Sequence, residues 1–161
     1  MHPLSYQTLP MSCWVTSMIN GILFQYQGKL VPFMAYKVLH NIMTADGVLY
    51  YTKGQKKDLD GILRAVESCS KLDIDYYTGE SVEEKVRGLD YKKQVAVCDI
   101  GSGDHSILVN GFKDGIFDAF EPYWDNVKNG DSSDGEYETF PPYMSGSKNT
   151  VNLRVSARHF F

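Results

Sequence analysis

The sequence predicts an α+β domain, with helices in the N-terminal part and an antiparallel sheet in the C-terminal part. Two observations carry that prediction. Before residue 94, apolar residues recur at helical spacing, as in Trp14, Met18, Ile22 and Phe24, or Leu59, Ile62, Leu63 and Val66. After it, short apolar runs are separated by turn residues. Helices followed by strands, rather than alternating with them, place the helices together on one side of an antiparallel sheet. With 161 residues, 43% of them hydrophobic, residues 1–161 are expected to form a single domain with one core.

A first helix is expected over residues 12–27, capped by Ser12 and stopped at Gly28; Pro32 opens a second that runs to about Asn41. Asp46 to Tyr51 reads as a turn followed by an extended segment, and Leu59 to Ser70 as a third helix. Asp73 to Thr78 alternates like a strand, and Ser81-Val82-Glu83-Glu84 matches a capping box opening a short helix. Gln94 to Ile100 is expected to be a buried strand, Gly101 to Asp104 a turn, and His105 to Phe112 a second strand. Lys113-Asp114-Gly115 then turns the chain into a strand from Ile116 to Phe120, and Val151 to Ser156 supplies the last. Residues 124–150, rich in Gly, Ser, Asp, Asn and Lys, read as a long loop of the kind that often lies over a site.

Composition excludes several classes. A net charge of -4 and only two Lys-Lys pairs, Lys56-Lys57 and Lys92-Lys93, give no footprint for nucleic acid. No apolar run approaches the roughly 20 residues needed to span a bilayer, and no secretory signal is evident, so a cytoplasmic protein without membrane insertion is expected. The three cysteines, at 13, 69 and 98, are dispersed and odd in number, which argues against a disulfide framework and a zinc site. Cys69 and Cys98 fall within apolar patterns and read as core. Cys13 is left for chemistry.

Cys13 stands at the start of a helix, where unpaired amides favour thiolate over thiol. Gln7, six residues upstream, offers an amide donor for the oxyanion formed when a thiolate attacks a carbonyl. Such a nucleophile needs a base. Of the four histidines, His2 and His159 lie near the termini, and His40 is expected at the end of a helix. His105 begins a strand after a turn, where it can meet the N-terminus of a helix packed on the sheet. The hairpin that follows brings Glu121 within reach of His105 from the opposite end of the ladder, as a carboxylate to orient the imidazole. Asp118 ranks second for that role.

Gln7 six residues before Cys13-Trp14, with His105 opening an apolar strand and Glu121-Pro122 after the next turn, resembles the papain-like cysteine peptidases. The resemblance is greatest to the bacteriocin-processing, double-glycine peptidases. It implies a papain-like fold, proteolysis of a peptide or protein substrate without metal or cofactor, Cys13 as nucleophile, His105 as base, and Gln7 in the oxyanion hole. It also implies cleavage after small residues such as Gly-Gly, although the residues themselves do not fix specificity. The chain departs from the family in carrying Glu121 where Asp is usual and Asp104 where Gly usually precedes the histidine, and residues 124–150 do not map onto it. An acyltransferase using the same thiol, and a catalytically silent papain-like module binding a peptide or protein partner, are the alternative readings. The hydrolase reading requires Cys13 and His105 to meet, and an enzyme differs from a silent module in having one cysteine whose alkylation persists well below about pH 8.5.

Overall fold

The computed structural model describes residues 4–7, 13–27, 29–45, 59–79, 81–100, 105–123, 126–127, 137–139 and 150–160. Four helices come first: α1 (Cys13–Tyr26), α2 (Phe33–Ala45), α3 (Leu59–Ser70) and α4 (Val82–Arg87). The strands follow: β1 (Ala96–Ile100), β2 (His105–Lys113), β3 (Ile116–Phe120), β4 (Tyr137–Thr139) and β5 (Leu153–Ser156), with a last helical turn α5 (Ala157–Phe160). All strand pairs are antiparallel, in the order β1-β2-β3-β5-β4. The expected α+β architecture is therefore present. Among the described residues, no helix is long and apolar enough to cross a membrane.

The β2–β3 hairpin sets the register on which everything downstream depends. Lys113 pairs with Ile116 across a two-residue loop in which Asp114 (φ 53°) and Gly115 (φ 82°) are both left-handed. That is the type I′ geometry whose twist suits paired strands, and Asp-Gly supplies it readily. Further along, the pairing steps from Val109↔Ala119 to Gly111↔Asp118, so Asn110 is the extra residue of a β-bulge. The bulge changes side-chain parity. As a result Phe112 joins Ile107 and Val109 on one face, stacked on Phe117 with ring centroids 4.5 Å apart.

Both faces of the sheet are covered, which corrects the one-sided arrangement expected from the sequence. Ile107, Val109, Phe117, Ala119, Leu153 and Val155 pack with Val86 of α4 and with Ala157 and Phe160 of α5. On the other face, Leu108, Phe120 and Val97 pack with Leu23 and Phe24 of α1 and with Leu4 and Tyr6. The cause lies in β2, whose consecutive Ile107, Leu108 and Val109 are all fully buried; a strand apolar on both sides needs cover on both. A third cluster joins α1 to the α2–α3 pair through Val15, Met18, Ile22, Leu39, Leu63 and Val66.

Other differences have local causes. Residues 73–78 form no strand and enter no sheet. Ile74 is satisfied by α3 instead: its N–H donates to Glu67 Oε2 (2.7 Å) and its carbonyl accepts from Arg64 Nη2 (2.6 Å). The short helix α4 is present without the capping box, because Ser81 is itself helical (φ -82°, ψ -2°) and its hydroxyl caps nothing. At the end of α1 the left-handed residue is Gln27 (φ 48°), the one before Gly28. Helix α2 runs on to Ala45, so His40 lies inside it rather than at its end. The stretch read as loop contains β4, an edge strand on β5. Ser12, Gly28, the segment from Asp46 to Tyr51, the turn from Gly101 to Asp104, and most of 124–150 lie outside the described residues.

Nothing lies within 4 Å of a Cβ built on Gly115, so the cost of a side chain there is backbone strain alone. Gly115→Ala is expected to lower stability by about 1–2 kcal/mol, read as a reduced urea midpoint with an unchanged m-value.

Candidate active site

Ser106 ties helix α1 to the start of β2 through its main chain. The hydroxyl of Ser17 donates to the Ser106 carbonyl (3.1 Å), and the Ser106 backbone amide donates to the Cys13 sulfur. Cys13 and Ser17 are four apart and share one helix face. Both main-chain groups of Ser106 are thus held by that face, and the residue before it, His105, is brought against Cys13. The Trp14 amide also donates to the sulfur.

His105 touches both partners expected for it. Its Nε2 lies 2.7 Å from Glu121 Oε1 and 2.8 Å from Oε2. A carboxylate only accepts, so Nε2 carries a proton, and Nδ1 is the nitrogen left to hydrogen-bond the Cys13 side chain. The approach of Glu121 differs from expectation in direction. Because Leu108 pairs with Phe120, the end of β3 lies beside the beginning of β2, so Glu121 and His105 meet at the same end of the ladder. Asp118 is engaged elsewhere, accepting from Arg154 Nε at 2.8 Å.

Glu121 is only 1% exposed, and a buried carboxylate is costly unless its lone pairs are met. Here they are. Oε1 also accepts from the Tyr123 amide (2.8 Å) and Oε2 from Asn126 Nδ2 (3.2 Å). Its main chain is gripped by fully buried Asn152: Oδ1 accepts from the Glu121 N–H (2.6 Å), while Nδ2 donates to the Glu121 carbonyl (2.9 Å). The same Nδ2 reaches the Tyr6 hydroxyl (3.3 Å).

Gln7 comes to this end of the molecule through its backbone, whose N–H donates to the Pro122 carbonyl at 2.8 Å. Its side-chain Oε1 is shielded from solvent. A second buried asparagine, Asn20 of α1, holds the same segment by a reciprocal pair with Ser5: the Ser5 N–H donates to Oδ1 (2.8 Å), and Nδ2 donates to the Ser5 carbonyl (2.9 Å). Residues 4–7 therefore form a strap across α1 and the end of β3. The four residues expected from the sequence divide in two: Cys13, His105 and Glu121 form one contact series, and Gln7 is anchored beside it.

Charge in this cluster is arranged as a pair. Burial disfavours the Cys13 thiolate, but the hydrogen bond from His105, the Ser106 and Trp14 amides and the charge of His105 outweigh it, and the thiol is held below its ordinary value. Burial also opposes the imidazolium, yet Cys13 and Glu121 together push His105 up to about 10. Cys98, by contrast, is pushed up to about 12 by burial and by the charge of Asp99. It is a core thiol. Cys69 is half-buried against the helical core, as is Trp14. No group of three or more His, Cys, Asp and Glu side chains is gathered as metal ligands among the described residues.

Ser17, Ser106, Asn152, Tyr6 and Asn126 escaped the sequence reading. Ser17 carried a usable signal, a small polar residue one turn after Cys13 in an otherwise apolar run. Asn152 carried a weaker one, a lone amide between Val151 and Leu153.

Asn152→Ala would leave the Glu121 N–H and carbonyl buried and unmet. A loss of about 2–4 kcal/mol in unfolding free energy is expected, together with slower alkylation of Cys13 at pH 6 as Glu121 loosens its hold on His105. Comparison with family models, with curated proteins and with solved structures gives no match to this chain.

Proposed function

We propose that this protein is a papain-like thiol hydrolase that cleaves a peptide or amide bond. The observation that carries the reading is the unbroken series from the Cys13 sulfur through His105 to Glu121, with Cys13 as the first residue of α1. Helix termini leave amides unpaired, so a thiolate in that position gains from the dipole as well as from the imidazolium.

In this reading the Cys13 thiolate attacks the substrate carbonyl carbon and the carbonyl oxygen becomes an oxyanion. The Cys13 backbone N–H and the Gln7 amide receive that oxyanion. Collapse breaks the carbon–nitrogen bond; the leaving amine takes the proton from His105 Nδ1, and an acyl thioester remains on Cys13. His105, now neutral, removes a proton from water. The hydroxide attacks the thioester, and sulfur leaves as thiolate with the imidazolium restored. Glu121 holds Nε2–H throughout, which keeps Nδ1 turned to sulfur. Glu is one methylene longer than the Asp usual in the family, and the two-point approach to Nε2 supports its serving the same role here.

The pH dependence of Cys13 alkylation by iodoacetamide tests the reading. A thiol held below its ordinary value keeps its thiolate as pH falls, losing it only when pH drops through the lowered value. Cys13 is therefore expected to react at pH 6 faster than Cys69 and Cys98 by at least about tenfold. His105→Ala should remove most of that advantage. If the three cysteines react alike in both proteins, the hydrolase reading fails.

Linkage gives a second test. His105 is raised, so alone it would contribute stability that is complete below its unfolded value and lost as pH climbs towards about 10. Cys13 is lowered and has the opposite sign. In the proposed thiolate–imidazolium pair, one proton has moved from sulfur to imidazole and no net proton is exchanged with solvent. Unfolding free energy should therefore vary little between pH 7 and 8 in the parent. In Cys13→Ala, where His105 keeps Glu121, it should fall as pH rises through that interval in urea titrations.

A further inference from the structure

Beside the Cys13 and His105 pair lies a second carboxylate that the mechanism does not use. Asp99 of β1 pairs across the ladder with Ser106, and its neighbour Ile100 pairs with His105. The Ser106 hydroxyl donates to Asp99 Oδ1 at 2.5 Å, while the Ser106 amide donates to the Cys13 sulfur. Asp99 is thus joined to the nucleophile through one residue. Unlike buried Glu121, Asp99 is a solvent-exposed residue whose carboxylate is partly covered on the side of Ser106.

Elsewhere in the molecule several carboxylates have a cationic partner: Asp118 is paired with Arg154, Glu83 with Arg87, and Asp60 and Glu67 with Arg64. Among the described residues, no Lys or Arg side chain pairs with Asp99. The positive group that interacts with it is His105, which already faces Glu121 and Cys13. One imidazolium among a thiolate and two carboxylates leaves the cluster net negative, and only Asp99 of the two carboxylates faces solvent. Partial desolvation beneath the exposed edge of Asp99 holds its carboxyl above the ordinary range, the Ser106 hydrogen bond and the His105 charge working the other way. Such a group gains from a cation placed over it.

We infer that Asp99 is the recognition point for a positively charged group of the substrate, so that the preferred substrates are peptides or amides with an ammonium or guanidinium close to the scissile carbonyl. The inference rests on the reading of Cys13 as nucleophile and adds the substrate class. Ser106 orients Asp99 through Oδ1 and leaves Oδ2 for the incoming cation.

Charged thiol reagents test this without a known substrate. Methanethiosulfonates that differ in charge are compared at Cys13 at pH 7: aminoethyl (cationic), sulfonatoethyl (anionic) and methyl (neutral). In each, the thiolate attacks the sulfenyl sulfur and methanesulfinate leaves; modification is followed by peptide mass spectrometry. The expected result is a cationic-to-anionic rate ratio higher at Cys13 than at Cys69, falling by about tenfold in Asp99→Asn. A second uncharged variant, Asp99→Ser, should give the same fall. Asp114→Asn, which changes net charge equally at the far hairpin, should leave the ratio as in the parent. An equal fall in the Asp99 and Asp114 variants, or no fall in either, overturns the assignment of Asp99. Neutral reagent reacting no faster at Cys13 than at Cys69 in the parent overturns the nucleophile reading, and the recognition role with it.

Discussion

The buried carboxylate of Glu121 is the constraint around which this end of the molecule is built. An ionisable side chain with almost no solvent must have its acceptor capacity filled by protein, and each donor that fills it is thereby fixed. His105, the Tyr123 amide and Asn126 are so fixed directly. Asn152 then holds the main chain that carries the carboxylate. Burial here gives orientation more than stability, since an apolar group of the same volume would pack at lower cost in desolvation. What the apolar group would not do is hold an imidazole in one tautomer with one nitrogen turned to sulfur.

Ser106 does for the helix what Asn152 does for the carboxylate. Its amide and carbonyl are both taken by one face of α1, and its hydroxyl is taken by Asp99. The contact works because β2 extends past the end of β3: the register pairs Phe120 with Leu108, leaving the start of β2 free to receive the helix. A sheet with blunt ends would offer no such place. The Cys13 thiol, the imidazole and both carboxylates are therefore brought together by strand stagger and by main-chain hydrogen bonds, with flexible side chains reaching only a short way.

Much of this was legible in the sequence because its signals are local. The helical spacing around Met18 and Ile22, the Asp114-Gly115 turn and the apolar strand after His105 are each set by neighbouring residues. So is the positioning of Cys13, His105 and Glu121 at element ends. The two-faced burial of the sheet was visible in Ile107-Leu108-Val109 but was outweighed by the helix-then-strand order. The strand expected at residues 73–78 failed because alternation describes side chains, whereas pairing needs a partner backbone. Arg64 and Glu67 satisfied Ile74 first. Ser106 and Asp99 have no local signature, and Asn152 only the weak one of a lone amide in an apolar run. Their roles are defined by what the fold sets opposite them.

The bond between Asn152 and Tyr6 joins residues 146 apart along the chain. Closing so long a loop is entropically slow relative to forming a helix or the β2–β3 hairpin. Until β5 arrives, the Glu121 backbone lacks its clamp and the strap of residues 4–7 lacks one of its anchors. A growing chain that already contains Cys13, His105 and Glu121 therefore has all three groups before the main-chain clamp on Glu121 is in place. The contact series from Cys13 to Glu121 thus reaches its final rigidity only when the last strand of the chain has been made.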